Sequence, residues 1–165
     1  MKTLYLVRHA KSDWGDLSLK DFDRPLNARG LQNAPKMGMK LKEKGEAPAL
    51  IVSSPAMRTK QTAALLCEQL SMNTAHIAYI DTIYEASTRE LLLLINAFDA
   101  KHDSVMLVCH NMAVTYIAEY LTHGDIGDFP TCGVMKINFE FDDWTLVSEN
   151  TGEKEFFWKP KELSF

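Results

Sequence analysis

The sequence predicts a three-layer α/β/α fold around a mostly parallel central sheet with an antiparallel edge, and two patterns carry that expectation. Short apolar, β-branched runs alternate with amphipathic helical stretches from Thr3 to Leu121, and the chain then changes to runs that read as a hairpin. Alternation of strand and helix imposes right-handed crossovers, so the strands lie parallel and are covered on both faces. With 165 residues and 46% apolar content, residues 1–165 are expected to form one domain that buries roughly 70% of the surface its unfolded chain exposes.

The elements follow in order. Thr3 to Val7 is a β-branched and aromatic run typical of a buried strand, and Arg8-His9 stands at its end. A loop rich in Asp, with Trp14 and Gly15, leads to Asn27, the expected N-cap of a helix ending near Gly45; Pro35 is expected to kink that helix or delay its start. Leu50 to Ser53 is the second strand, after which Ser54-Pro55 reads as N-cap and first helical residue, with Arg58 in the first turn. Ile77 to Ile80 is a third strand. A loop carrying Glu85 and a helix with Leu91, Leu94, Ile95 and Phe98 on its apolar face come next. Ser104 to Cys109 is the fourth strand, and His110-Asn111 separates it from a helix through Ala113, Ile117 and Leu121. Val134 to Phe141 and Trp144 to Val147 read as a hairpin about Asp142-Asp143.

Composition removes several classes of function. The 18 Lys and Arg against 22 Asp and Glu give a net charge of −4, with no basic run, so nucleic acid is not an expected partner. Cys67, Cys109 and Cys132 are odd in number and unpaired in spacing, as expected of reduced thiols in a cytoplasmic protein, and Cys109 reads as a small buried apolar residue. The apolar run after Met1-Lys2 is too short for a signal core or a membrane span.

In parallel sheets ligands bind beyond the carboxyl ends of the strands, where helix N-termini offer free N–H groups. Those positions here hold Arg8, His9, Arg58, Glu85 and His110. Two guanidinium forks with helix N-termini suit a phosphoryl dianion. The usual nucleophiles of phosphate chemistry are missing. An Arg six residues after a cysteine is replaced by Asn73, Thr115 and Asn138, and Asp21-Phe22-Asp23-Arg24-Pro25 follows a polar loop and ends on Pro. P-loop and His-Glu-x-x-His patterns are also absent from the sequence. Imidazole remains.

Leu6-Val7-Arg8-His9-Ala10 resembles the signature of the histidine phosphatase superfamily, the phosphoglycerate mutase-like fold. Arg8-His9-Ala10-Lys11-Ser12-Asp13-Trp14, Asp23-Arg24-Pro25-Leu26-Asn27-Ala28-Arg29-Gly30, Ser53-Ser54-Pro55-Ala56-Met57-Arg58-Thr59 with Gln61-Thr62-Ala63, and Val108-Cys109-His110-Asn111 resemble its short SixA-like phosphohistidine phosphatase branch. The resemblance implies that His9 is a transiently phosphorylated nucleophile, that Arg8, Arg58 and His110 hold the phosphoryl group, and that no metal or other cofactor is required. It further implies a phosphohistidine-bearing protein as partner, such as a histidine-containing phosphotransfer domain, with inorganic phosphate as product. Glu85 is the positional match to the general acid of mutase and phosphomonoesterase relatives. Met112-Ala113 replaces the Pro-Gly common after His-Asn in the branch.

Nearby cations are expected to lower the pKa of His9 and keep it nucleophilic. Short strand-to-helix connections are expected to leave the pocket open. A small-molecule phosphomonoesterase or mutase-like enzyme and a non-catalytic phosphoprotein-binding module are the alternatives. Asp23, Arg24 and Arg29 read as a structural ion-pair cluster. His76, His102 and His123 read as solvated, and Trp14 either walls the substrate groove or covers the first helix. The aromatic residues Phe156, Phe157, Trp158 and Phe165 are expected to pack back on the domain.

Overall fold

In a computed structural model, which describes residues 1–163, the six strands form one sheet. They are β1 (Lys2–Arg8), β2 (Leu50–Ser53), β3 (Ala78–Tyr79), β4 (Ser104–Cys109), β5 (Val134–Phe139) and β6 (Glu153–Trp158). Their spatial order is β3-β2-β4-β1-β5-β6, with the first four parallel, β5 antiparallel to β1 and β6 antiparallel to β5. The helices are α1 (Ala28–Glu43), α2 (Met57–Gln69), α3 (Thr88–Asn96) and α4 (Ala113–Leu121).

Strand alternation divides the core into two layers. Leu4 and Leu6 of β1 pack with α3 and α4 through Leu91, Ile95, Ile117 and Leu121. Tyr5 and Val7 pack on the opposite face with Met37 and Leu41 of α1 and Leu66 of α2. β1 and β4, buried along most of their length, pair in register, with Arg8 beside Cys109. That register places both predicted histidine-bearing strand ends side by side.

Asn27 caps α1 as expected, accepting the Gly30 N–H at 2.9 Å, and Gly45 follows its C-cap in the left-handed region at φ 72°. Pro35 lies inside α1 and does not delay its start. α2 begins at Met57 rather than Pro55, because Ser54 accepts only the Ala56 N–H and spends its hydroxyl elsewhere.

The expected hairpin is corrected. Trp144–Leu146 forms a 3-10 turn, not a strand, and β6 pairs with β5 instead. The Asp143 side chain accepts the Thr145 N–H and starts the turn. Trp144 is buried edge-on against Phe98, its indole donating to the His102 carbonyl at 2.8 Å. Asn96 secures the same turn through the carbonyls of Trp144 and Val147. The aromatic segment does return to the domain: Phe156, Phe157 and Trp158 belong to β6, whereas Phe165 lies outside the described residues. No helix among the described residues is long and apolar enough to cross a membrane.

Candidate active site

The carboxyl ends of β1, β2 and β4 converge because their last backbone groups interlock. The His9 N–H donates to the Cys109 carbonyl at 3.2 Å, and the Ser54 N–H to that of Val108 at 3.1 Å. From the other side Cys132, left-handed at φ 62°, donates its N–H to the carbonyls of both Arg8 and His9, each at 3.0 Å. Arg8, His9, Arg58 and His110 thereby line one cavity of about 200 Å³, together with Lys11, Ser12, Trp14, Arg24, Asn111 and Thr131. Glu85 is exposed and is not part of that lining.

His9 and His110 face each other with ring centroids 5.4 Å apart. His9 Nδ1 lies 2.7 Å from the Ala10 carbonyl. A carbonyl only accepts, so Nδ1 carries the proton and Nε2 keeps its lone pair. Burial lowers the pKa of His9 to about 3, helped by electrostatic coupling to His110 and by the positive charges of Arg58 and Arg8 and opposed by the Ala10 hydrogen bond. The expected direction holds, but burial rather than the cations is the leading cause. Burial and Arg58 also bring His110 down to about 4. Both rings are neutral at physiological pH.

Arg8 anchors one end of its fork, Nη1 donating to the Phe129 carbonyl at 2.9 Å. Arg58, buried in the first turn of α2, is held by Asp21. Buried Nε of Arg8, Nε of Arg58 and Nδ1 of His110 have no hydrogen-bond partner among the described residues. Three unspent nitrogens on residues lining one cavity suit an acceptor-rich anion, since a buried polar group without a partner costs about 1–3 kcal/mol.

Two site residues escaped the sequence reading. Asp21, in the 3-10 turn Asp21–Asp23, accepts from Arg24 at 2.8 Å, Arg58 at 3.0 Å and the Tyr84 hydroxyl at 2.5 Å. These donors hold its carboxyl far below the usual range. Tyr84, rather than its neighbour Glu85, brings the β3–α3 connection to the site, its ring edge-on to His110. The signal for Asp21 was the Asp21-x-x-Arg24 spacing; for Tyr84 it was an aromatic residue beside the predicted strand-end carboxylate.

The expected ion-pair cluster is also revised: Arg24 pairs with Asp21 rather than Asp23, and donates to Ser12 Oγ at 2.9 Å. Trp14 walls the cavity, exposed to solvent, with the Arg24 guanidinium 3.4 Å from its ring centroid. The β1–α1 connection that carries these groups is long, not short. It forms one side of the pocket. At the altered motif, Asn111-Met112 adopts a cis peptide and α4 starts at Ala113, with the Val114 N–H bonded to the His110 carbonyl at 2.9 Å.

Residues 4–90 match the family model of the histidine phosphatase superfamily (branch 1). The chain belongs to that family. An uncharacterised chloroplastic protein of Arabidopsis thaliana is 32% identical over 151 residues, which cover 87% of this chain and 69% of the plant protein. The crystal structure of a protein assigned as the phosphohistidine phosphatase SixA of Agrobacterium tumefaciens superposes with a TM-score of 0.83 at 30% identity, covering 96% of this chain and 98% of that one. A protein histidine phosphatase SixA solved with tungstate shares the fold, with a TM-score of 0.79 at 19% identity over 98% of this chain and 99% of its own. The six-stranded, mostly parallel sheet is thus that of the phosphoglycerate mutase-like fold.

Proposed function

We propose that this histidine phosphatase superfamily member removes phosphoryl groups from protein phosphohistidine through a phosphorylated His9. The observation that carries the reading is the hydrogen bond from His9 Nδ1 to the Ala10 carbonyl, which fixes the proton of this buried ring on Nδ1 and leaves its Nε2 lone pair free beside Arg8, Arg58 and His110. In the first step Nε2 attacks phosphorus, the P–N bond of the substrate breaks, and the imidazole leaves with its electron pair. When the other nitrogen of that imidazole is already protonated, it departs neutral, and no proton must reach the departing atom. Water then attacks phospho-His9: a P–O bond forms as the P–Nε2 bond breaks, the electron pair returns to Nε2, and inorganic phosphate leaves with the water's oxygen, its protons passing to the phosphate and solvent. Arg8 and Arg58 meet the phosphoryl charge, so the sequence of steps balances without a metal.

Two features favour a phosphorylated side chain over an enclosed metabolite. The cavity, about 200 Å³, is smaller than the roughly 300–1,000 Å³ of pockets that surround small molecules. Its lining contains no carboxylic acid to protonate an alkoxide. The Agrobacterium relative assigned as a phosphohistidine phosphatase supports the same substrate class.

The test is a rate comparison on a phosphorylated histidine-containing phosphotransfer protein, a sugar phosphate and an aryl phosphate, with chelator present. Release from the phosphoprotein that dominates, persists with chelator and vanishes in His9→Ala supports the proposal. Faster turnover of the sugar phosphate overturns the substrate assignment, and binding without acid-labile labelling of His9 overturns the chemistry.

A further inference from the structure

Ser54 is fully buried at the end of β2, and its Oγ lies 2.8 Å from His110 Nε2. The same oxygen accepts the Ala56 N–H at 3.2 Å. No other hydrogen-bond partner of this hydroxyl is found among the described residues. Its own proton therefore has one acceptor within reach, the His110 ring. Ser53 Oγ and Thr59 Oγ1 both donate to the Ser54 carbonyl, at 2.9 and 2.8 Å, and hold this residue in place.

We propose that Ser54 is a positioning residue that donates to His110 Nε2 and so holds that ring in the tautomer protonated at Nδ1. This rests on the proposed phosphoryl chemistry only for its catalytic consequence. A neutral imidazole carries one proton, and its place decides whether Nδ1 attracts or repels an oxyanion. With the opposite tautomer the Ser54 proton would be buried without an acceptor, and Nδ1, already without a partner, would present a lone pair to the phosphoryl oxygens. With the tautomer set by Ser54, Nδ1–H joins the unspent Arg8 and Arg58 nitrogens as a donor. His110 then contributes to anion binding without bearing a charge next to two guanidiniums, whose repulsion would oppose protonation.

The deciding measurement needs no substrate. In protein carrying 15N-histidine, long-range 1H–15N correlation at pH 7 distinguishes a pyrrole-type Nδ1 from a pyrrole-type Nε2. The expected result is protonated Nδ1 and bare Nε2 for His110; protonated Nε2 in the wild type overturns the proposal outright. In Ser54→Ala the Nε2–H form is expected to appear. Affinity for tungstate, read by calorimetry, is expected to fall at least tenfold, the loss of one hydrogen bond to a charged group. Ser54→Thr, which keeps a hydroxyl, is expected to restore both readouts. An Ala variant with unchanged tautomer and unchanged tungstate affinity also overturns it. If the wild type shows the Nδ1–H form and Ser54→Ala loses it, but no phosphatase activity is found, the positioning role stands and the proposed function fails.

Discussion

Asp21 grips Arg58 at two points, its Oδ2 accepting from Nη2 at 3.0 Å and its backbone carbonyl from Nη1 at 2.8 Å. The guanidinium is thus locked in plane by a residue far from it in sequence, leaving Nε unspent. Asp21→Asn keeps the backbone contact and removes the charge. An orienting group lost at one remove from chemistry costs on the order of tenfold in kcat/KM. That loss is expected mainly as a higher KM, measured by steady-state kinetics on the phosphoprotein. An unchanged KM would mean that Arg58 holds its pose without Asp21.

α1 presses on the segment that follows His9. A Cβ on Gly30 would stand 2.2 Å from the Lys11 carbonyl oxygen, which also accepts the Asn27 N–H at 2.9 Å. Both groups are backbone, so Gly30→Ala must push α1 away from the segment following His9. Overpacking of this kind costs about 1–3 kcal/mol. At about 2–4 °C per kcal/mol for a chain of this size, melting is expected several degrees lower by calorimetry, together with reduced turnover.

Much of this site was legible in the chain because parallel strands bring their carboxyl ends to one edge of the sheet. Arg8, His9, Arg58 and His110 were found at those ends and do meet in space. Asp21 and Tyr84 were not, since their role comes from a long connection whose path no periodicity encodes. The hairpin failed for a different reason. Trp144 and Val147 carry strand-forming side chains, but Asp143 caps a helical turn and α3 offers the surface that buries them. β6 escaped because Glu153, Lys154 and Glu155 open it with exposed polar residues, one of them paired to Lys136 at 2.7 Å.

Glu85 stands outside the cavity lining on the exposed turn before α3. A general acid must come within hydrogen-bond reach of the departing atom. Glu85→Gln is therefore expected to change turnover of protein phosphohistidine by less than about twofold, against the 10²–10⁴-fold that a working acid supplies. The measurement is kcat on the phosphoprotein and on an aryl phosphate. A loss above tenfold on either would restore Glu85 as a proton donor.

Burial of the two imidazoles links stability to pH. His9 and His110 have folded pKa values of about 3 and about 4, both below the ordinary 6.5. Below pH 6.5 the unfolded chain takes up protons that the folded chain refuses, so stability is complete above that pH and falls as acid approaches the folded values. Asp21, whose pKa is also depressed, adds a loss of the same sign only below the ordinary carboxylate range. Between pH 6 and pH 5 each neutral buried histidine contributes a slope of about 1.2 kcal/mol per pH unit. His110→Gln removes one of these slopes while keeping a side chain able to meet Ser54. Urea unfolding at pH 5, 5.5 and 6 is expected to show a shallower dependence for the variant by about that amount. Parallel curves for variant and wild type would mean that His110 accepts a proton in the folded chain as readily as in the unfolded one, and the neutral ring assigned to it would be wrong.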